Sequence, residues 1–193
     1  MKKTLKIAAI LGVLLIGLYF VFKKVNLNPS HSVGEVIDSL NNVEVYYNGV
    51  VRNIEGRNVI DGYNIGMKYQ CVEFVKRYYF EQYNHKMPDT YGNAKDFFID
   101  QLEDGKLNKQ RDLYQYSNPS YSEPKVGDLI VMSATTFNKY GHVAIVSKVD
   151  KNNIEIIQQN PSPFSNSRET FPLENQNGKW NIMNNRIDGS ATK

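Results

Sequence analysis

A single cysteine in 193 residues excludes an internal disulfide framework, because no second thiol exists to close a loop. Histidine is nearly as scarce, at three, so a Cys/His metal cage has too few ligands and no metal or cofactor site is expected. Net charge is scarce as well. The formal value is +3, but Lys2, Lys3, Lys6, Lys23 and Lys24 fall in the first 24 residues, which hold no Asp or Glu. The remainder carries 18 basic against 20 acidic side chains, which argues against a phosphate-binding surface and therefore against nucleic acid as a partner. No internal repeat is present.

What the chain does have is one long apolar run, IAAILGVLLIGLYFVF from Ile7 to Phe22, bracketed by those lysines. Sixteen helical residues reach roughly 24 Å, and Leu5 with snorkelling lysines extends them toward a ~30 Å hydrocarbon core. Two readings stand. One is an uncleaved single-pass anchor with its N-terminus cytoplasmic and the rest of the chain extracytoplasmic. The other is a cleaved signal, which would leave a secreted protein. The nearest small-x-small site, Ser30-His31-Ser32, lies far from the run, which favours the anchor. Residues 1–24 are thus assigned to an anchor or signal, 25–42 to a stalk with a short helical turn, and 43–193 to a globular domain.

Within that domain, Asn48-Gly49 between β-prone runs predicts a hairpin, and GRNVIDGYNIGMKY reads as a glycine-punctuated loop. From Gln70 or Cys71 to about Asn84 the period becomes helical, with Cys71, Val75 and Tyr78-Tyr79 on one face. A second helix is expected in GNAKDFFIDQLEDG, capped by Asn93. Residues 106–125 read as turns. KVGDLIVMS, GHVAIVSKV and NIEIIQQN read as strands, residues 161–180 as irregular, and WNIMNNRI as a last strand. Helices first and an antiparallel sheet last is α+β organisation.

A lone cysteine is ordinarily buried filler. Cys71, however, stands at the start of a helix, where free N–H groups and the dipole favour a thiolate. Of the possible bases, His31 lies in the stalk. His85 follows the helix that Cys71 begins, roughly 20 Å from the sulfur. His142 opens a strand beside small residues, Gly141 and Ala144. If the turn Asp150-Lys151-Asn152 pairs Val149 with Asn153, Asn160 falls opposite His142 and Gln158 opposite Ala144. Both polar side chains then point at the histidine's face. A loop one residue different reverses this, and the competing reading is an exposed polar sheet end.

The blocks GMKYQCVEFVKRYY, GNAKDFF, PKVGDLIVM, GHVAIV and IEIIQQN, in that order, resemble the CHAP domain, a cysteine- and histidine-dependent amidohydrolase/peptidase family. They are most similar to the amidase domain of bifunctional glutathionylspermidine synthetase/amidases. The resemblance covers roughly Val43 to Leu173. It implies a papain-like fold of the NlpC/P60 type, with N-terminal helices packed on an antiparallel sheet. It further implies Cys71 as nucleophile, His142 as general base, Asn160 as a following polar partner, and Gln158 in the place of the usual orienting acid. The backbone N–H of Cys71, assisted by Gln70, would stabilise an oxyanion. Calcium-binding members carry an acidic cluster upstream of the cysteine, whereas the glycine-punctuated loop here offers only Asp61. The implied activity is amide hydrolysis through a thioacyl-enzyme. Peptidoglycan peptides are the accessible amides outside the membrane, and a glutathionylspermidine-type substrate is the alternative. Gln158 also motivates a second reading, a binding module without catalysis.

Overall fold

The structure, a computed structural model, describes residues 2–24 and 26–193, and only the backbone of residues 2–4, 8 and 19–24. A 23-residue helix α1 (Lys2–Lys24) precedes two short hairpins, β1 (Val36–Leu40) with β2 (Val43–Tyr46) and β3 (Arg57–Ile60) with β4 (Tyr63–Met67). Helix α2 (Cys71–Tyr83) and a 3-10 turn (Ala94–Phe97) follow, and then eight strands complete the chain. These are β5 (Lys106–Asn108), β6 (Leu113–Ser117), β7 (Leu129–Met132), β8 (His142–Val149), β9 (Asn153–Ile157), β10 (Arg168–Gln176), β11 (Lys179–Ile182) and β12 (Ile187–Thr192). They form one antiparallel sheet in the order β11-β10-β9-β8-β7-β12-β6-β5. The expected α+β class holds, with one helix on the sheet in place of the several expected.

Both sheet faces are buried, for different reasons. On one, Phe74, Val75, Tyr78 and Tyr79 of α2 pack with Leu129, Val131, Val143, Ile145 and Ile157. On the other, Ile130, Ala144, Val146, Ile154, Ile156, Phe171 and Leu173 form a second cluster with no helix over it. The sheet covers that cluster by curling: Ser120 and Trp180 exchange backbone hydrogen bonds of 3.0 and 2.7 Å, joining the segment after β6 to β11. Alternation along β8 therefore sends Val143 and Ile145 toward α2, and Ala144 and Val146 away from it.

Several expectations change. Residues 25–42 are no slack stalk: β1 lies within them, the Tyr47 hydroxyl donates to Asn26 Oδ1 at 2.8 Å, and Asn28 Nδ2 donates to the Pro163 carbonyl at 3.1 Å. Asn48-Gly49 makes no hairpin, because the buried Asn48 amide donates to the Val50 and Asn53 carbonyls and holds an irregular loop. The hairpins turn at Asn41-Asn42, Asp61-Gly62 and Asn177-Gly178, each with both residues at positive φ, the geometry matching strand twist. The second helix shrinks to the 3-10 turn, and residues 168–176, read as irregular, are β10.

Among the described residues no helix is long and apolar enough to cross a membrane. The expected span runs into residues 19–22, whose side chains lie outside those described. The described apolar side chains of α1, including Leu5, Ile10, Val13, Leu15 and Leu18, are all more than half exposed.

The element that fixes α2 on the sheet is polar. Glu73, 2% exposed, accepts from Arg77 Nε at 2.7 Å, Asn58 Nδ2 at 2.9 Å and Gln159 Nε2 at 2.9 Å. Gln159 also donates to the Gln70 carbonyl at 3.0 Å and accepts from the Tyr46 N–H at 2.7 Å. Truncating Glu73 leaves the Arg77 guanidinium, 6% exposed, buried without its carboxylate. The expected cost of Glu73→Ala is about 3–5 kcal/mol, read as a lowered urea midpoint at unchanged slope.

Candidate active site

Cys71 opens α2 because the chain before it cannot be helical. Tyr69 sits at φ 64°, and Gln70 is extended at φ −91°, ψ 157°. The helix closes at Asn84, left-handed at φ 48°, whose N–H returns to the Tyr79 carbonyl. At the N-terminus the backbone N–H groups of Cys71 and Val72 face the sulfur, and so does that of Val143 from β8. These donors favour the thiolate. Burial outweighs them and pushes the Cys71 thiol up from its usual range. Cys71 therefore rests as a thiol.

The Val143 contact places the sulfur against the start of β8, one residue from His142. His142 is 6% exposed, and burial brings its pKa down to about 4. The Gln158 side chain opposes that drop, while the Arg186 charge adds to it. Nε2 is buried without a partner at hydrogen-bond distance. The ring is neutral at physiological pH, the state a general base must occupy.

Gly141 lets the chain reach this position. It sits at φ +74°, and a Cβ there would lie 2.7 Å from the Met132 carbonyl oxygen and 2.9 Å from the Lys95 nitrogen. The space expected beside His142 is thus a close backbone approach.

Gln158 arrives beside the histidine by a corrected route. At the turn Val149 pairs with Ile154 and Lys148 with Glu155, one residue off the expected register. An irregularity between Val146 and Lys148 restores it, giving Val146 with Ile156 and Ile145 with Ile157. Gln158, 3% exposed, then continues the face of Ile154 and Ile156. Its Nε2 donates to Glu169 Oε2 at 3.4 Å.

Asn160 does not share that face. Its φ of 59° turns the chain out of the strand, and its Nδ2 donates to Gln70 Oε1 at 2.7 Å and to the Val51 carbonyl at 3.0 Å. Gln70 Nε2 in turn donates to the carbonyls of Val51 at 3.2 Å and Asn53 at 2.7 Å. Both amide hydrogens of Gln70 are therefore committed, and its side chain has none left for an oxyanion. The structure thus places His142 and Gln158 on the sheet face away from α2, at the end of the sheet where the helix of Cys71 begins, with His142 Nε2 making no hydrogen bond to the sulfur, and pairs Asn160 with Gln70 as a brace for the loop before Cys71. Sequence reasoning passed over Glu73 and Gln159. Their signal was alternation, since Gln159 must face away from Gln158 and toward α2. The other two histidines are structural: Nε2 of the buried His85 meets the Arg111 carbonyl at 2.9 Å, and Nδ1 of His31 meets Glu35 Oε1 at 3.0 Å.

The class is an α+β domain in which a cysteine at a helix N-terminus abuts a histidine-bearing strand. The family model for the CHAP domain matches residues 62–160, about half of the chain. The chain belongs to the CHAP domain family, a family of amidohydrolases. It is 25% identical over 131 residues to a trypanothione synthetase of Crithidia fasciculata, covering 66% of this chain and 20% of that protein. It is 30% identical over 105 residues to the bifunctional glutathionylspermidine synthetase/amidase of Escherichia coli (strain K12), covering 54% and 17%. The chain spans at most about a fifth of the length of these curated relatives. Two solved structures, the crystal structure of Ly7917 and that of Ly7917 with the hydrolyzing product of MDP, align at TM-scores of 0.33 and 0.28. Identities are 20% and 27%, over 53% and 38% of this chain and 38% and 29% of theirs.

Two outcomes follow from the site's geometry. If His142 is the base, its pKa of about 4 keeps kcat/KM level down to about pH 5 and places the acid limb near pH 4. The same group links pH to stability. Between 6.5 and about 4 the unfolded chain binds a proton that folded His142 refuses. Stability therefore falls by ~3 kcal/mol as pH drops through that window, with no further loss from this group below it. Denaturation of wild type against His142→Asn measures that difference. In contrast, Gly141→Ala should abolish turnover by displacing His142 while leaving the far-UV circular dichroism of the fold in place.

Proposed function

We propose that this chain is a membrane-anchored cysteine amidase or endopeptidase that hydrolyses amide bonds through a Cys71–His142 thioacyl-enzyme, with peptidoglycan peptides as substrate. The observation that carries the reading is the placement of the one thiol of the chain at the N-terminus of α2, against Val143 and beside a strand that opens with a buried neutral histidine. As the sulfur attacks the carbonyl carbon, its proton passes to His142, and the thiol's raised pKa makes that base necessary. The tetrahedral oxyanion is met by the backbone N–H of Cys71. His142 then delivers its proton to the departing amine, and water releases the acyl group. The Gln158 amide oxygen accepts the imidazolium N–H; it supplies a dipole where an acid would supply a charge.

Location narrows the substrate. The described apolar side chains of α1, exposed all round, suit a lipid surround better than water, and the lysines at both ends of the sequence run suit headgroups. Since Asn26 and Asn28 are already fastened to Tyr47 and Pro163, the domain would sit close to the bilayer, with no long tether. Outside a cytoplasmic membrane the amides within reach are those of wall peptides. The same membership is compatible with a glutathionylspermidine-type amide, the chemistry printed in the name of one relative, and Gln158 is compatible with a module that binds without turnover.

Full-length protein in detergent, incubated separately with purified peptidoglycan and with glutathionylspermidine, should release new amines from peptidoglycan, identified by mass spectrometry. Cys71→Ala and His142→Ala should each lower the rate by at least about a thousandfold. Release from glutathionylspermidine alone would replace the wall substrate with a polyamine amide. Binding of peptidoglycan with no new amine would establish the non-catalytic module. In cells, the chain should resist alkaline extraction from membranes, and its domain should be cut by protease added outside. A shortened form in the medium would instead establish cleavage.

A further inference from the structure

The base at His142 is served by an amide, and an amide has two ends. If the Gln158 oxygen faces the ring, the ring nitrogen on that side carries the proton and the other is bare. If the NH2 faces the ring, the facing nitrogen must be the acceptor and the proton sits on the other one. Only the first arrangement leaves a nitrogen free to take the thiol proton. A glutamate at 158 would settle this by itself, because an ionised carboxylate only accepts. A glutamine needs something behind it.

That group is present. Glu169 stands opposite Ile156 in the β9–β10 ladder, and Gln158 is two residues beyond Ile156 on the same face, so the two are diagonal cross-strand neighbours. Glu169 Oε2 lies 3.4 Å from Gln158 Nε2. We propose that Glu169 is the positioning residue of this site: its carboxylate claims the Gln158 amide nitrogen, holds the amide oxygen toward His142, and so fixes the imidazole tautomer. This rests on the reading of His142 as the base. The carboxylate thus stands one group further out, with the amide passing on its preference for a donor. Arg186 is the other charged group that acts on the ring, and it cannot set the flip because it makes no hydrogen bond to the amide. The competing view is that Glu169, whose carboxylate is exposed, is an ordinary surface side chain on the sheet.

The two views separate in the imidazole nitrogen spectrum, where His142 is one of only three histidines. Full-length wild type in detergent should show His142 as a single neutral tautomer. Glu169→Ala and Glu169→Gln should show a mixture of both, with kcat about tenfold lower and KM little changed. The exchanged pair Gln158→Glu with Glu169→Gln should restore one tautomer and the rate, because the acceptor-only group then faces the ring directly. A single unchanged tautomer in Glu169→Ala, with an unchanged acid limb, would overturn the proposal. If wild type hydrolyses nothing, the functional reading falls, while the nitrogen spectra still decide whether Glu169 sets the ring.

Discussion

The buried carboxylate of Glu73 is the constraint on which the site depends. Cys71 and His142 come from different elements, and neither α2 nor β8 contains anything that fixes its distance from the other. Apolar packing of Phe74, Val75, Tyr78 and Tyr79 on the sheet supplies adhesion without direction, since such contacts tolerate small slides. Glu73 supplies direction. It binds Arg77 one turn on, Asn58 of the neighbouring hairpin and Gln159 at the end of β9, while Gln159 also donates to the carbonyl of Gln70 immediately before Cys71. A slide of α2 would break several charge-assisted bonds at once in a place water does not reach. Such networks are costly when half satisfied, and that cost selects one register.

Local pattern made α2 legible: Cys71, Val75, Tyr78 and Tyr79 share a face, and Asn84 can adopt the left-handed cap. The central strands β7, β8 and β9 were legible because continuous β-branched runs have few other uses. The strand β10 was hidden by Pro172, which reads as a breaker, yet it sits at the last β9 pairing, opposite Asn153, where a missing N–H is tolerated. The hairpin β3–β4 was hidden by glycines that look like a loop, although Asp61-Gly62 is as strong a turn signal as Asn48-Gly49. What distinguishes the two is burial of the Asn48 amide, and no local pattern reports that. The register beside His142 came out as expected through two compensating departures, a shifted turn and an irregularity after Val146. Agreement at the site there does not mean agreement along the strand.

The electrostatics of the site follow from burial and not from the helix. A cysteine at a helix N-terminus is commonly read as an activated thiolate, and the amides of Cys71, Val72 and Val143 do act in that sense. Desolvation acts against them on the sulfur, and on His142 it brings the pKa down to about 4. A carboxylate beside the imidazolium would favour an ion pair, and the side chain there is an amide, which brings a dipole but no charge. The neutral pair is the self-consistent state: with Gln158 beside it the ring has little reason to be charged at rest, and the buried sulfur keeps its proton.

The tripeptide Gln158-Gln159-Asn160 shows how much a two-residue period decides. Read as letters, it offers three polar groups to one histidine. Read as a strand end, it must divide them. Gln158 keeps the face of Ile156 and meets His142 and Glu169, Gln159 takes the opposite face and joins Glu73, and Asn160 leaves the strand through a positive φ to brace Gln70. Each therefore supports a different part of the same candidate site: His142, the seat of the helix that Cys71 opens, and the loop before Cys71. Substituting one for another would conserve composition and hydrogen-bonding capacity while placing an amide on the wrong side of the sheet. The chemistry of this site accordingly lies less in which polar residues end β9 than in the parity of their positions.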